Sequence, residues 1–212
     1  MIHENTPVYQ TGTKLQDAKS AMILIHGRGA TAQSILELGN EWQTDRMALI
    51  APQAAGGTWY PNRFIAPIES NEPALSSGLA KIATLLTEIH AAGIAPDQVI
   101  LLGFSQGACL ALEYAARNPQ RYGGVIGLSG GLIGELGTPL RYAADADLQG
   151  TPVFLGCSDV DFHIPKERVE ESAQVLQAMQ AQVTMRLYPG MGHTVNQDEI
   201  AFVQTIIDQL GK

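Results

Sequence analysis

Short apolar runs, each followed by a longer stretch with helical spacing, constrain this chain more than any other feature. Ala21–His26, Met47–Ala51, Gln98–Phe104, Gly124–Leu128, Pro152–Leu155 and Thr184–Tyr188 read as strands, with Val8–Gln10 as a possible edge strand. Most of these runs lack polar alternation. Strands of that kind must be covered on both faces, which calls for a parallel sheet between two helical layers. The stretches between them supply the helices: Ala32–Gly39, Ala74–Ala92 with Gly93 as its C-terminal stop, Gly107–Arg117, Pro165–Ala181 and Asn196–Leu210. The expectation is α/β, as one domain over residues 1–212. Pro52–Pro73 and Ser129–Gly150 show no period and read as long loops.

One of these runs carries chemistry. Val99–Phe104 leads directly into Gly103-Phe-Ser105-Gln-Gly107, and a helical pattern leads out. A serine flanked by glycines on a sharp strand-to-helix turn presents its hydroxyl at the carboxyl edge of a sheet. The alternative is an ordinary glycine-rich turn, since the chain has 22 glycines. Context argues for a nucleophile, with the amide of Gln106 at the helix start facing a developing oxyanion.

A serine hydroxyl needs a base. Of the five histidines, His193 alone lies past a late strand and before the last helix, in Gly190-Met-Gly-His193. His3 and His90 read as surface residues, and His163 as too close to the acid candidates to face the serine. The loop after Pro152–Leu155 holds two acids, Asp159 and Asp161, either of which could orient the imidazole. Spacing does not choose between them. The turn His26-Gly27-Arg28 offers a second oxyanion donor through the amide of Arg28, with His26 bracing the turn. Trp59, Tyr60 and Phe64 fall in the long loop, where they either line a substrate pocket or form a small core beneath it.

Composition narrows the partners. A formal charge of −8 disfavours nucleic acid, and no basic run suggests docking on anionic lipid. The N-terminal stretch lacks a basic, then apolar, export pattern, and no apolar run is long enough for a bilayer, so a cytoplasmic protein without membrane insertion is expected. The two cysteines, Cys109 and Cys157, read as reduced thiols. The histidines are scattered, so no metal is expected, and no cofactor.

Taken together, Leu24-Ile-His-Gly27, Ile50-Ala-Pro-Gln53, Gly103-Phe-Ser-Gln-Gly107, Asp161-Phe-His-Ile-Pro165 and Gly190-Met-Gly-His193 make the chain resemble the phospholipase/carboxylesterase family. The resemblance implies an α/β-hydrolase fold, with a mostly parallel central sheet flanked by helices and no large cap domain. It implies Ser105 as nucleophile, His193 as base, Asp161 as acid and Arg28 and Gln106 as oxyanion donors. Leu155-Gly156 stands where the family shows His-Gly, with extra residues before Asp161, and this departure keeps Asp159 as an alternative. The implied activity is hydrolysis of small carboxylic esters of short to medium acyl chain. The rivals are acyl-protein thioesterase or lysophospholipase activity, and a ligand-binding protein on a hydrolase fold. The oligomeric state is left open.

Overall fold

The computed structural model describes residues 1–210. Seven strands form one sheet: β1 (Val8–Gly12), β2 (Ser20–Ile25), β3 (Met47–Pro52), β4 (Val99–Phe104), β5 (Gly124–Leu128), β6 (Pro152–Ser158) and β7 (Gln182–Tyr188). Their order is β1-β3-β2-β4-β5-β6-β7. Among the described residues only β1 runs antiparallel, against β3. β6 runs three residues past its expected end because Gly156, Cys157 and Ser158 pair with Arg186, Leu187 and Tyr188 of β7.

The apolar strands are buried on both faces. Met22 and Leu24 of β2 and Ile100 and Leu102 of β4 face one layer, which holds α1 (Ala32–Gly39) and α5 (Gln197–Ile207). Ile23 and Leu101, one residue along, face the other layer, formed by α2 (Ala74–Ala91), α3 (Gln106–Arg117) and α4 (Lys166–Ala178). Period-two geometry sends neighbouring side chains to opposite faces, so a strand between two cores has no position for a polar residue. β1 is exposed along its whole length, as an edge strand tolerates.

α2 ends in a Schellman turn. Gly93 has φ +89°, its amide bonds the carbonyl of His90, and the amide of Ile94 bonds that of Ile89. α4 ends at Ala178, three residues before its expected limit, where Gln180 turns the chain with φ +61° into β7. α5 is likewise shorter than expected.

From β2 the chain moves outward to β3, and from β4 it moves the other way to β5. The reversal opens a crevice at the carboxyl ends of β2 and β4, the usual place for a ligand in such sheets. His26–Arg28, Ser105, the acid loop after β6 and the loop of His193 after β7 all lie at that edge.

Candidate active site

Ser105 occupies the turn between β4 and α3 with φ +56° and ψ −120°, a conformation costly for a residue with a side chain. Close packing imposes the flanking glycines. A Cβ on Gly103 would collide with the backbone of Gly107, and one on Gly107 with the carbonyl of Ile25. The Ser105 amide is tied to Leu128 O at 2.9 Å. Serine at a helix start usually spends its hydroxyl capping the first turn. Here it makes no cap bond and instead meets His193 Nε2 at 2.9 Å.

On the other side of the ring, His193 Nδ1 lies 2.6 Å from Asp161 Oδ2. The Asp161 carboxylate is fully buried, and its second oxygen accepts from the amides of His163 (2.8 Å) and Ile164 (3.2 Å). It is therefore held by its own loop as well as by the imidazole. Asp159 points elsewhere. Its Oδ1 accepts from the Gly190 amide at 2.8 Å, while Ser158 Oγ accepts from the Gly192 amide at 3.1 Å. These two residues tie the acid loop to the His193 loop. The arrangement brings Ser105, His193 and Asp161 into one relay and leaves Asp159 outside it.

His193 is also packed between rings. Phe104 lies 5.0 Å from it and His163 4.9 Å, centroid to centroid. His163, expected not to face the serine, makes no hydrogen bond to it but does line the serine's cavity. His3 corrects another expectation: it is fully buried, accepting from the Ala55 amide and bonded to Trp59 O. His26 braces its turn, with Nδ1 2.7 Å from Gly27 O and Nε2 accepting from the Ala54 amide at 3.0 Å. Burial holds both His3 and His26 below the usual imidazole range. His90 is exposed, as expected.

The amides of Arg28 and Gln106 donate to no protein acceptor among the described residues. Their side chains do the opposite. Arg28 gives its guanidinium to the carbonyls of Tyr60, Pro61 and Asn62. Gln106 accepts from Thr58 Oγ and the Trp59 amide and donates to Tyr60 O. Both clasp the segment 58–62.

A cavity of about 480 Å³ opens beside Ser105. Tyr60, Phe64, Cys109 and Ile164 supply its apolar wall, and Arg28, Arg63 and His163 its polar one. Trp59 does not line it. That residue is fully buried in the main core, with Nε1 donating to His26 O at 2.9 Å, so its assignment to a pocket is corrected. Arg63, Asn62 and His163 were not singled out from sequence as lining residues. Arg63 reaches the site by donating to the carbonyls of Phe162 and His163, about a hundred residues away, a proximity that no local pattern carries. A larger hollow of about 680 Å³ lies between α3 and the loop 133–143, with Glu113, Arg117 and Tyr142 in its wall, and Ser105 does not line it. Burial pushes the Cys109 and Cys157 thiols up to about 12, which makes both poor nucleophiles.

α5 begins four residues after His193, behind a capping box. The Asn196 side chain accepts from the Glu199 amide, and Glu199 Oε2 from the Asn196 amide. Glu199 is fully buried against Gly156, where any Cβ would strike its carboxylate, and its Oε1 meets no donor among the described residues. Burial raises this carboxyl to about 7.

A family model described as Phospholipase/Carboxylesterase matches residues 9–210. The crystal structure of a phospholipase/carboxylesterase from Dyadobacter fermentans superposes with a TM-score of 0.92 at 42% identity, covering 99% of each chain. Acyl-protein thioesterase 1 of Saccharomyces cerevisiae is 26% identical over 226 residues, 93% of this chain and 96% of the yeast protein. The Gibberella zeae protein of the same name is 33% identical over 116 residues; that match takes in 54% of this chain and 49% of the relative, about half its length. The sheet order, the strand-to-helix turn at Ser105 and, among the described residues, the absence of a large cap agree with an α/β-hydrolase architecture. By a match that spans nearly its whole length, this chain belongs to the phospholipase/carboxylesterase family.

Proposed function

We propose that the protein is a serine hydrolase that cleaves small carboxylic esters through an acyl-enzyme. The relay Ser105–His193–Asp161, with contacts of 2.9 and 2.6 Å, carries the reading. Ser105 Oγ attacks the ester carbonyl as His193 Nε2 takes its proton. The amides of Gln106 and Arg28 donate to the oxyanion of the tetrahedral intermediate. His193 then gives the proton to the departing alcohol. Water, activated by the same imidazole, releases the acid and restores Ser105. Asp161 keeps Nδ1 protonated and stabilises the imidazolium.

A cavity of about 480 Å³ suits a small ester, within the usual range for ligand sites. The protein acts as a single hydrolase domain on a small-molecule ester in the cytoplasm. Among the described residues no helix is long and apolar enough to cross a membrane. Cleavage of acyl thioesters uses the same relay, and the yeast relative's name favours testing it. The test is labelling with a fluorophosphonate probe together with turnover of aryl esters and acyl thioesters. Wild type is expected to be labelled and active, and Ser105→Ala neither. A Ser105→Ala protein with wild-type turnover would overturn the assignment.

A further inference from the structure

The cavity beside Ser105 carries a charge opposite to that of the chain. The protein has a formal charge of −8, yet Arg28, Arg63 and His163 line this cavity and no Asp or Glu does. Among the described residues neither guanidinium lies within 4.0 Å of a carboxylate. Arg28 is largely committed to the carbonyls of Tyr60, Pro61 and Asn62, so it contributes chiefly its charge. Arg63 is different. Only its Nη2 is engaged, through contacts of 3.4 and 3.2 Å to Phe162 O and His163 O. Among the described residues its Nε and Nη1 donors bond no protein acceptor. Those contacts place the exposed guanidinium between the loop of Phe64 and the loop of Asp161, at the rim of the same cavity as Ser105. A fork of N–H donors held in place, with no acid to satisfy it, matches the two-oxygen edge of a carboxylate or phosphate.

We propose that the ester substrate carries an anionic oxyacid group, carboxylate or phosphate, and that Arg63 binds it in the field of Arg28. This rests on the hydrolase reading above and adds a substrate class to it. An acidic protein repels anions at long range, so a local cationic wall gives selectivity that the net charge would otherwise oppose.

The test uses two matched pairs of esters. Monoethyl succinate against ethyl butyrate places the anion on the acyl side, and 1-butyrylglycerol 3-phosphate against 1-butyrylglycerol places it on the alcohol side. In at least one pair the anionic member should show the higher kcat/KM, by about ten- to hundredfold at low salt, the scale of a hydrogen bond to a charged group. The pair that responds identifies which half of the ester, and which oxyacid, Arg63 reads. The preference should shrink when salt rises from about 0.01 M to about 1 M, where the screening length falls from about 30 Å to about 3 Å. Arg63→Gln should bring the ratio close to one, and Arg63→Lys should retain part of it. Labelling of Arg63→Gln by a neutral fluorophosphonate checks that its Ser105 site is formed. Equal or better turnover of the neutral member in both pairs overturns the anion site and leaves the hydrolase reading standing, as does a preference that survives Arg63→Gln. If no ester is cleaved and wild-type Ser105 is not labelled, the hydrolase reading itself falls and this inference falls with it.

Discussion

Glu199→Gln should make the protein more stable, and increasingly so as pH rises. The wild-type carboxyl is buried against Gly156 and raised to about 7, chiefly by burial, with the charge of Asp198 adding to it and the Asn196 amide opposing. In the unfolded chain the same group titrates near 4.5. Between these values the folded state binds the proton and the unfolded state does not, so stability falls as pH rises through that window. The stabilising contribution is complete below about 4.5 and is lost as pH passes about 7. The gap of about 2.5 units, at about 1.4 kcal/mol each, amounts to about 3 kcal/mol at pH 8 and above. Glutamine keeps the shape and can still accept from the Asn196 amide, but carries no charge to bury. The difference in Tm between variant and wild type should be small at pH 5. At pH 8 it should reach about 6–12 °C, using about 2–4 °C per kcal/mol for a chain of this size. Thermal melts followed by circular dichroism at pH 5, 6, 7 and 8 read this directly. A variant that is less stable by the same amount at every pH refutes the reasoning, because the carboxylate would then be ionised and satisfied where it lies.

Asp161→Asn should lower kcat by about four orders of magnitude with little change in Tm, since it offers the wrong group to His193 Nδ1. Asp159→Asn should keep most activity, because an amide oxygen can still accept from the Gly190 amide; reversed results from ester assays on the two variants would exchange their roles. Trp59→Ala should cost about 3–5 kcal/mol, typical of a buried aromatic, and lower Tm by about 6–20 °C. It should leave the relative preference for short and long acyl esters little changed, and a large change in that ratio measured on the folded variant would return Trp59 to the pocket.

The elements readable in the sequence are those whose chemistry is local. Two glycines two residues either side of Ser105 signal the turn because both the strand and the helix must pass too close for a Cβ. The buried strands are visible because a strand between two cores admits no polar position. The relay's geometry needed more than spacing. Asp159 and Asp161 are two residues apart in one loop, and only side-chain direction separates one that faces His193 from one that ties down Gly190. His3 gave no signal of burial, since its partners, Trp59 and Ala55, lie more than fifty residues away. The extra length of β6 is likewise a matter of pairing with β7. Arg63 and His163 enter the cavity because two loops meet across the edge of the sheet, and neither loop alone carries a signal of that meeting.

The clasp on segment 58–62 ties substrate fit to rate. The two residues whose amides are assigned to the oxyanion, Arg28 and Gln106, hold that segment with their side chains. A wall attached in this way behaves as part of the catalytic frame, unlike a lid that swings freely. On the proposed mechanism, any change that shifts Tyr60 to admit a bulkier acyl group also pulls on the backbone assigned to the intermediate. Exchanging this loop for that of a relative should therefore register first as a loss of kcat, with KM following. Substitutions at Phe64 and Ile164, which line the same cavity without being bonded to Arg28 or Gln106, should alter selectivity with less loss of rate.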